Sequence, residues 1–137
     1  MRHGGVAFRV GPLDGAWQRA RVDSERVAFR HPDGGTISAS VDCRSADAPL
    51  PILTNHLLLG LEARQVQREE ALQLDGRAAL RSRVAGKVEG VSIVMDLVVV
   101  QKAGCVYDLQ LVGSAATVDR HLAAFAGFFG GFATRQP

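Results

Sequence analysis

Residues Val91–Val112, VSIVMDLVVVQKAGCVYDLQLV, decide the fold. Two apolar-rich runs flank a Lys102-Ala103-Gly104 break, and a helical pattern follows at once. Runs of this length, rich in β-branched residues and split by a glycine turn, read as two antiparallel strands. Lys102-Ala103-Gly104 reads as a three-residue loop with glycine at the left-handed position, pairing Gln101 with Cys105. That register puts Tyr107, Leu109 and Leu111 on the face of Met95, Leu97 and Val99. The other face then carries Val94, Val98, Val100, Val106 and Val112, interrupted by Asp96, Asp108 and Gln110. Five valines there predict that this second face is partly covered too.

Working upstream, Gln65–Leu74 and Ala78–Val88 form another hairpin. A two-residue Asp75-Gly76 turn competes with a three-residue Asp75-Gly76-Arg77 loop. The longer loop pairs Leu74 with Ala78 and Leu72 with Leu80, so the apolar match favours it. Glu69 then lies opposite Arg83. A two-residue Glu89-Gly90 turn pairs Val84 with Met95 and Arg83 with Asp96. Arg83 thus stands between Glu69 and Asp96 in a ladder that reads as register-setting rather than catalytic.

Nearer the start, Val6–Val10 is a short strand, and Trp17–Val22 continues extended after the Gly11-Pro12 and Asp14-Gly15 breaks. Arg26–Arg30 is a strand, and His31–Gly35 is a turn by composition. Thr36–Cys43 alternates, with Ile37, Ala39, Val41 and Cys43 on one face. Pro49–Glu62 is a leucine-rich helix, apolar over most of its circumference and so expected to be well buried. Asp47 or Ser45 caps it, and Pro49 and Pro51 suit its first turn. Downstream, Ser114–Phe132 is a helix with a stripe of Val118, Leu122, Phe125, Phe129 and Phe132. Ser114 or Thr117 caps it, and Gly127, Gly130 and Gly131 weaken its last turns.

The order of three strands, a helix, four strands in hairpins and a helix predicts an α+β domain. One antiparallel sheet of about six to seven strands is flanked by two helices. The chain has 137 residues, 47% hydrophobic and 22% charged, with net charge +2. This length makes one domain, residues 1–137, with a real core. The charge gives no case for nucleic acid or a membrane surface, and no aromatic stacking platform is present. No apolar run reaches membrane-spanning length, and residues 1–20 lack a signal-peptide core. The chain is expected to be cytoplasmic as written, or periplasmic or membrane-anchored if a signal was trimmed.

Several segments resemble the PsbP-like fold, an antiparallel sheet between helices, and small bacterial lipoprotein or periplasmic proteins of that fold. They are Val27–Pro32, Leu57–Leu61, Leu74–Arg77 and Gly104–Leu109. The resemblance implies an accessory or partner-binding role, as in photosystem assembly factors and a binder of the small GTPase Ran. It brings no catalytic residue set. An exported bacterial protein is implied, although no lipid-acceptor cysteine stands near the start.

The residues point to no enzyme. His3, His31, His56 and His121 are scattered and match no metal-ligand spacing, so neither a metal nor a cofactor is expected. Nucleotide-binding glycine motifs and a GxSxG motif are absent. Cys43 and Cys105 read either as buried small hydrophobes or as a disulfide. Arg77, Arg81, Arg83 and Lys87 share a strand face near Arg64 and Arg68, a candidate basic patch for an anionic partner. Asp96, Asp108 and Gln110 are a candidate polar site, in which one buried carboxylate would have a perturbed pKa. The leading expectation is a non-catalytic domain that binds a protein partner. The alternative is a small-molecule or lipid carrier with a cleft between the leucine-rich helix and the sheet. A homodimer through an open sheet edge is a further expectation.

Overall fold

The computed structural model describes residues 8–23, 25–43 and 48–134. Its strands are β1 (Phe8–Arg9), β2 (Gln18–Val22), β3 (Arg26–Arg30), β4 (Thr36–Asp42), β5 (Glu62–Leu74), β6 (Arg77–Val88), β7 (Val91–Lys102), β8 (Cys105–Gly113) and β9 (Ala133–Thr134). The helices are α1 (Leu50–Leu57), α2 (Ala115–Arg120) and α3 (Leu122–Gly130). Seven strands make one sheet in the order β2-β3-β4-β8-β7-β6-β5, and β1 pairs with β9 in a two-stranded ribbon. Every pairing is antiparallel. The α+β architecture holds, with three helices among the described residues instead of two.

Two hairpin registers differ from the sequence reading. Leu74 pairs with Arg77, not Ala78, and Lys102 pairs with Cys105, so Gln101 meets Val106. The Glu89-Gly90 hairpin keeps its expected register, with Val84 opposite Met95 and Arg83 opposite Asp96. All three turns are now of one kind. Asp75 and Gly76 have φ of 52° and 75°, Glu89 and Gly90 50° and 82°, and Ala103 and Gly104 53° and 80°. Positive φ at both central residues is the mirror-image turn whose twist matches that of the strands it joins. Apolar matching could not decide between registers here. Both sheet faces are covered, so a one-residue slip moves leucines and valines from one core to another rather than into water.

The slip reassigns faces. Val94, Val98 and Val100 share a core with Leu109, Leu111 and Tyr107, under Val118, Phe125, Phe128 and Phe129 of α2 and α3. Leu97, Val99 and Val106 share the opposite core with Val84 and with Leu53, Leu58 and Leu61 from α1 and its exit. The expected grouping of Tyr107, Leu109 and Leu111 with Met95, Leu97 and Val99 is therefore corrected.

The helices are also shorter than expected. α1 ends at Leu57, and Leu61 enters the core from the following turn rather than from the helix. Ile52 is 46% exposed and Leu59 73%, so the leucine-rich segment is not buried all round. Pro49 is its N-cap residue without a side-chain bond; Ser45 and Asp47 lie outside the described residues, as do Val6 and His3. The last helix breaks at His121, whose N–H reaches both the Thr117 and Val118 carbonyls. Ser114 caps α2 by accepting the Thr117 N–H at 3.1 Å.

Candidate functional site

β5 and the strip of sheet beside it are the least covered part of the described structure. β5 runs 13 residues, borders β6 on one side only, and is exposed from Glu62 through Ala71. Its first half is irregular, with register shifts between Glu62 and Gln65 and between Val66 and Arg68. Arg68–Leu74 is regular. In a two-residue hairpin the pair flanking the turn is hydrogen-bonded inward. Leu74, Leu72 and Glu70 thus direct their amides at β6, and Gln73, Ala71 and Glu69 direct theirs outward. The second half of β5 is an open template for another strand.

A cleft of about 350 Å³ opens beside the irregular half of β5, on the face that carries α2. Ala85 and Val94 pair in its floor, and Lys87 and Ser92 pair at its outer end. Ala63 and Gln67 line it from β5, and Ser114 and Ala115 from the start of α2. Gly86 allows the entry of β5 to pack close, because a Cβ there would strike the Leu61 side chain and the Glu62 carbonyl. The sequence reading placed a carrier cleft between the leucine-rich helix and the sheet; the cleft described here lies on the opposite face.

Two of the four residues of the candidate basic patch, Arg81 and Arg83, are paired with acids. Arg81 donates from Nε and an Nη nitrogen to both carboxylate oxygens of Asp96, each at 2.9 Å. Glu70 stands 3.5 Å from it, and its guanidinium lies 5.0 Å from the Phe129 ring centre. The carboxylate of Asp96 raises the Arg81 pKa further. Arg83 contacts Asp119 at 2.7 Å and donates to Gln67 at 3.0 Å. The expected ladder is therefore shifted by one pair. Glu69 faces Ser82, and Arg81, not Arg83, joins Glu70 to Asp96. Arg77 and Lys87 form no ion pair among the described residues.

The candidate polar site is split. Asp96 lies on the α3 side with Arg81, and Asp108 and Gln110 lie on the α1 side, in line with Val106. Gln110 donates to Asp108 at 2.9 Å. Burial pushes the Asp108 carboxyl above its usual range, against the Gln110 bond and the charge of Arg26, while Asp42 adds to the rise. These residues do not converge with Asp96 on one pocket.

Two other features were missed. Trp17, His31 and His121 form a ring cluster, with the imidazole centres 4.5 Å apart and each near 5 Å from Trp17. Burial, and then the neighbouring His31, lower the His121 pKa, and its Nε2 has no partner among the described residues. Lys102, Asp75 and Thr134 tie two hairpin turns to β9, with Lys102 Nζ 2.8 Å from Asp75 and the Thr134 N–H donating to Asp75 at 3.0 Å. No sequence pattern flags either cluster, because each joins segments remote along the chain. Cys43 and Cys105 form a disulfide, one register step beyond the Asp42–Val106 pair of β4 and β8. No group of three or more metal-ligating side chains occurs among the described residues.

The same architecture is found in solved structures. A Pseudomonas aeruginosa protein of unknown function, PA94, superposes with TM-score 0.71 at 17% identity, over 90% of this chain and 100% of that one. LpqN of Mycobacterium tuberculosis, involved in cell envelope biogenesis, gives 0.63 at 15%, over 92% and 83%. Cyanobacterial PsbP of Synechocystis gives 0.56 at 17%, over 93% and 82%. The fold is PsbP-like. No family model and no curated protein matches the chain. No described helix is long and apolar enough to cross a membrane.

Proposed function

We propose that this PsbP-like chain is a non-catalytic accessory domain that binds an extended segment of a protein partner along β5. The observation that carries this is the open edge at Glu69, Ala71 and Gln73. These residues lie on a regular, exposed stretch whose outward amides and carbonyls have no strand partner among the described residues. Strand addition gives affinity through main-chain bonds, and the side chains on either face give specificity. Arg68, Glu69 and Glu70 present both signs of charge there, which keeps the edge from pairing indiscriminately and selects a partner of complementary pattern. The Cys43–Cys105 disulfide supports an exported setting, since disulfides persist in oxidising compartments.

Ala71→Pro tests the reading. It removes an outward N–H and leaves the β6 ladder intact, the one place a strand tolerates proline. Partner capture should be compared quantitatively between wild type and this variant, with hydrogen exchange on the captured complex. Loss of the partner in a folded Ala71→Pro protein, with new protection at Glu69, Ala71 and Gln73 in wild type, is expected. A partner retained by the variant, or exchange unchanged along β5, sinks the proposal. Protection that grows with protein concentration alone would assign the edge to a second copy of the chain instead.

A further inference from the structure

We infer that the cleft bounded by Ala63, Gln67, Ala85, Lys87, Ser92 and Ala115 binds a small amphipathic carboxylate, its aliphatic body on the floor and its head at Lys87. The inference is independent of the β5 edge. The volume of about 350 Å³ falls at the lower end of small-molecule sites. Ala85, Val94, Ala63 and Ala115 supply apolar surface. The polar lining is one-sided. Lys87 is the cation and has no ion pair among the described residues. The carbonyl oxygen of Gln67 already accepts from Arg83 at 3.0 Å, which leaves its amide N–H groups as donors. Ser114 is occupied by the Thr117 cap, and Ser92, opposite Lys87, has no hydrogen-bond partner for its hydroxyl among the described residues.

No carboxylate lines the cleft. Glu62 faces Lys87 across the register but neither lines the cleft nor forms an ion pair with it. A cation, two amide N–H groups and a hydroxyl beside an apolar floor complement a carboxylate head on a short hydrocarbon, and oppose an amine.

Octanoate is the probe, followed by amide chemical shifts of the whole chain. Saturable shifts at Ala85, Lys87, Ser92, Val94 and Ala115 are expected, with a dissociation constant of about 0.1–1 mM for so small a ligand. Lys87→Gln should weaken octanoate about tenfold while leaving octanol unchanged. Ala115→Phe, on an exposed helix position, should fill the cleft and abolish both. Shifts confined to other surfaces overturn the inference. So does octylamine binding as tightly as octanoate, or a Lys87→Gln protein that binds octanoate like wild type.

Discussion

Asp96 and Asp108 are buried carboxylates on neighbouring strands, yet they are satisfied differently. Asp96 is 2% exposed and Asp108 8%. Asp96 meets a guanidinium in a two-point bond, closed over by Phe129. Among the described residues Asp108 accepts a hydrogen bond from the amide of Gln110 and has the charge of Arg26 nearby, and its pKa rises through burial. A buried charge is stable when a matched charge shares its site; a neutral donor repays only part of the desolvation. Asp96 is therefore part of the packing of α3 on the sheet, whereas Asp108 is a stability cost carried by the α1 side.

The largest test breaks the first half of this comparison. Asp96→Ala strands the Arg81 guanidinium under Phe129 and should cost about 3–5 kcal/mol in denaturant unfolding. Replacing both partners, Arg81→Met with Asp96→Leu, should recover most of that, since no charge is left buried. A double variant as unstable as the single one would show that the pair does more than satisfy itself.

Opening the disulfide acts on the second half. The Cys43→Ser/Cys105→Ser protein should lose about 2–4 kcal/mol, because a cross-link over a long loop constrains the unfolded chain. The loss also loosens β4 against β8, where Ser40 pairs with Asp108. The Asp108 carboxyl should then titrate nearer its usual range, which carboxyl-carbon NMR reads directly. An unchanged titration would separate the burial of Asp108 from that pairing.

Asp108→Asn sharpens the contrast further. Because the folded state holds the Asp108 proton more tightly than the unfolded chain, this group's contribution is fully present below its unfolded value near 3.8. It is lost as pH rises through the raised folded value. The variant keeps the Gln110 bond and lacks this slope. It should be more stable than wild type at neutral pH by about 1 kcal/mol, with the advantage gone near pH 3–4. A variant less stable than wild type at neutral pH would mean that the carboxylate is better paired than its Gln110 contact indicates.

The smallest effect belongs to Glu70. Its contact with Arg81 is long and exposed at 3.5 Å, so Glu70→Ala should shift stability by less than about 0.5 kcal/mol. A larger loss would make Glu70 a true third member of the Arg81–Asp96 pair.

Part of this was legible in the chain. The alternation of Thr36–Cys43, the Glu89-Gly90 hairpin and the aromatic stripe after Ser114 each follow from local periodicity and turn chemistry. The resemblance to a PsbP-like fold rested on other segments, Val27–Pro32, Leu57–Leu61, Leu74–Arg77 and Gly104–Leu109. The candidate sites were less legible. Asp96, Asp108 and Gln110 stood together on paper only because the Lys102–Cys105 turn was read one residue too long. Arg77, Arg81, Arg83 and Lys87 do share a face, but the acids that neutralise Arg81 and Arg83 come from β5, β7 and α2. The cleft had no signature at all, since its walls are two irregularities in β5 and the point where α2 begins.

The sequence by itself determined the strands of the large sheet, the two helical regions, their order and the antiparallel hairpins, because these depend on residues close together in the chain. Only the tertiary structure decided which face each side chain occupies. With hydrophobic cores on both sides of the sheet, the apolar pattern tolerates either register, and the turn backbone selects one. That choice separated Asp96 from Asp108 and set Glu70 opposite Arg81, while the strand order left β5 at the edge.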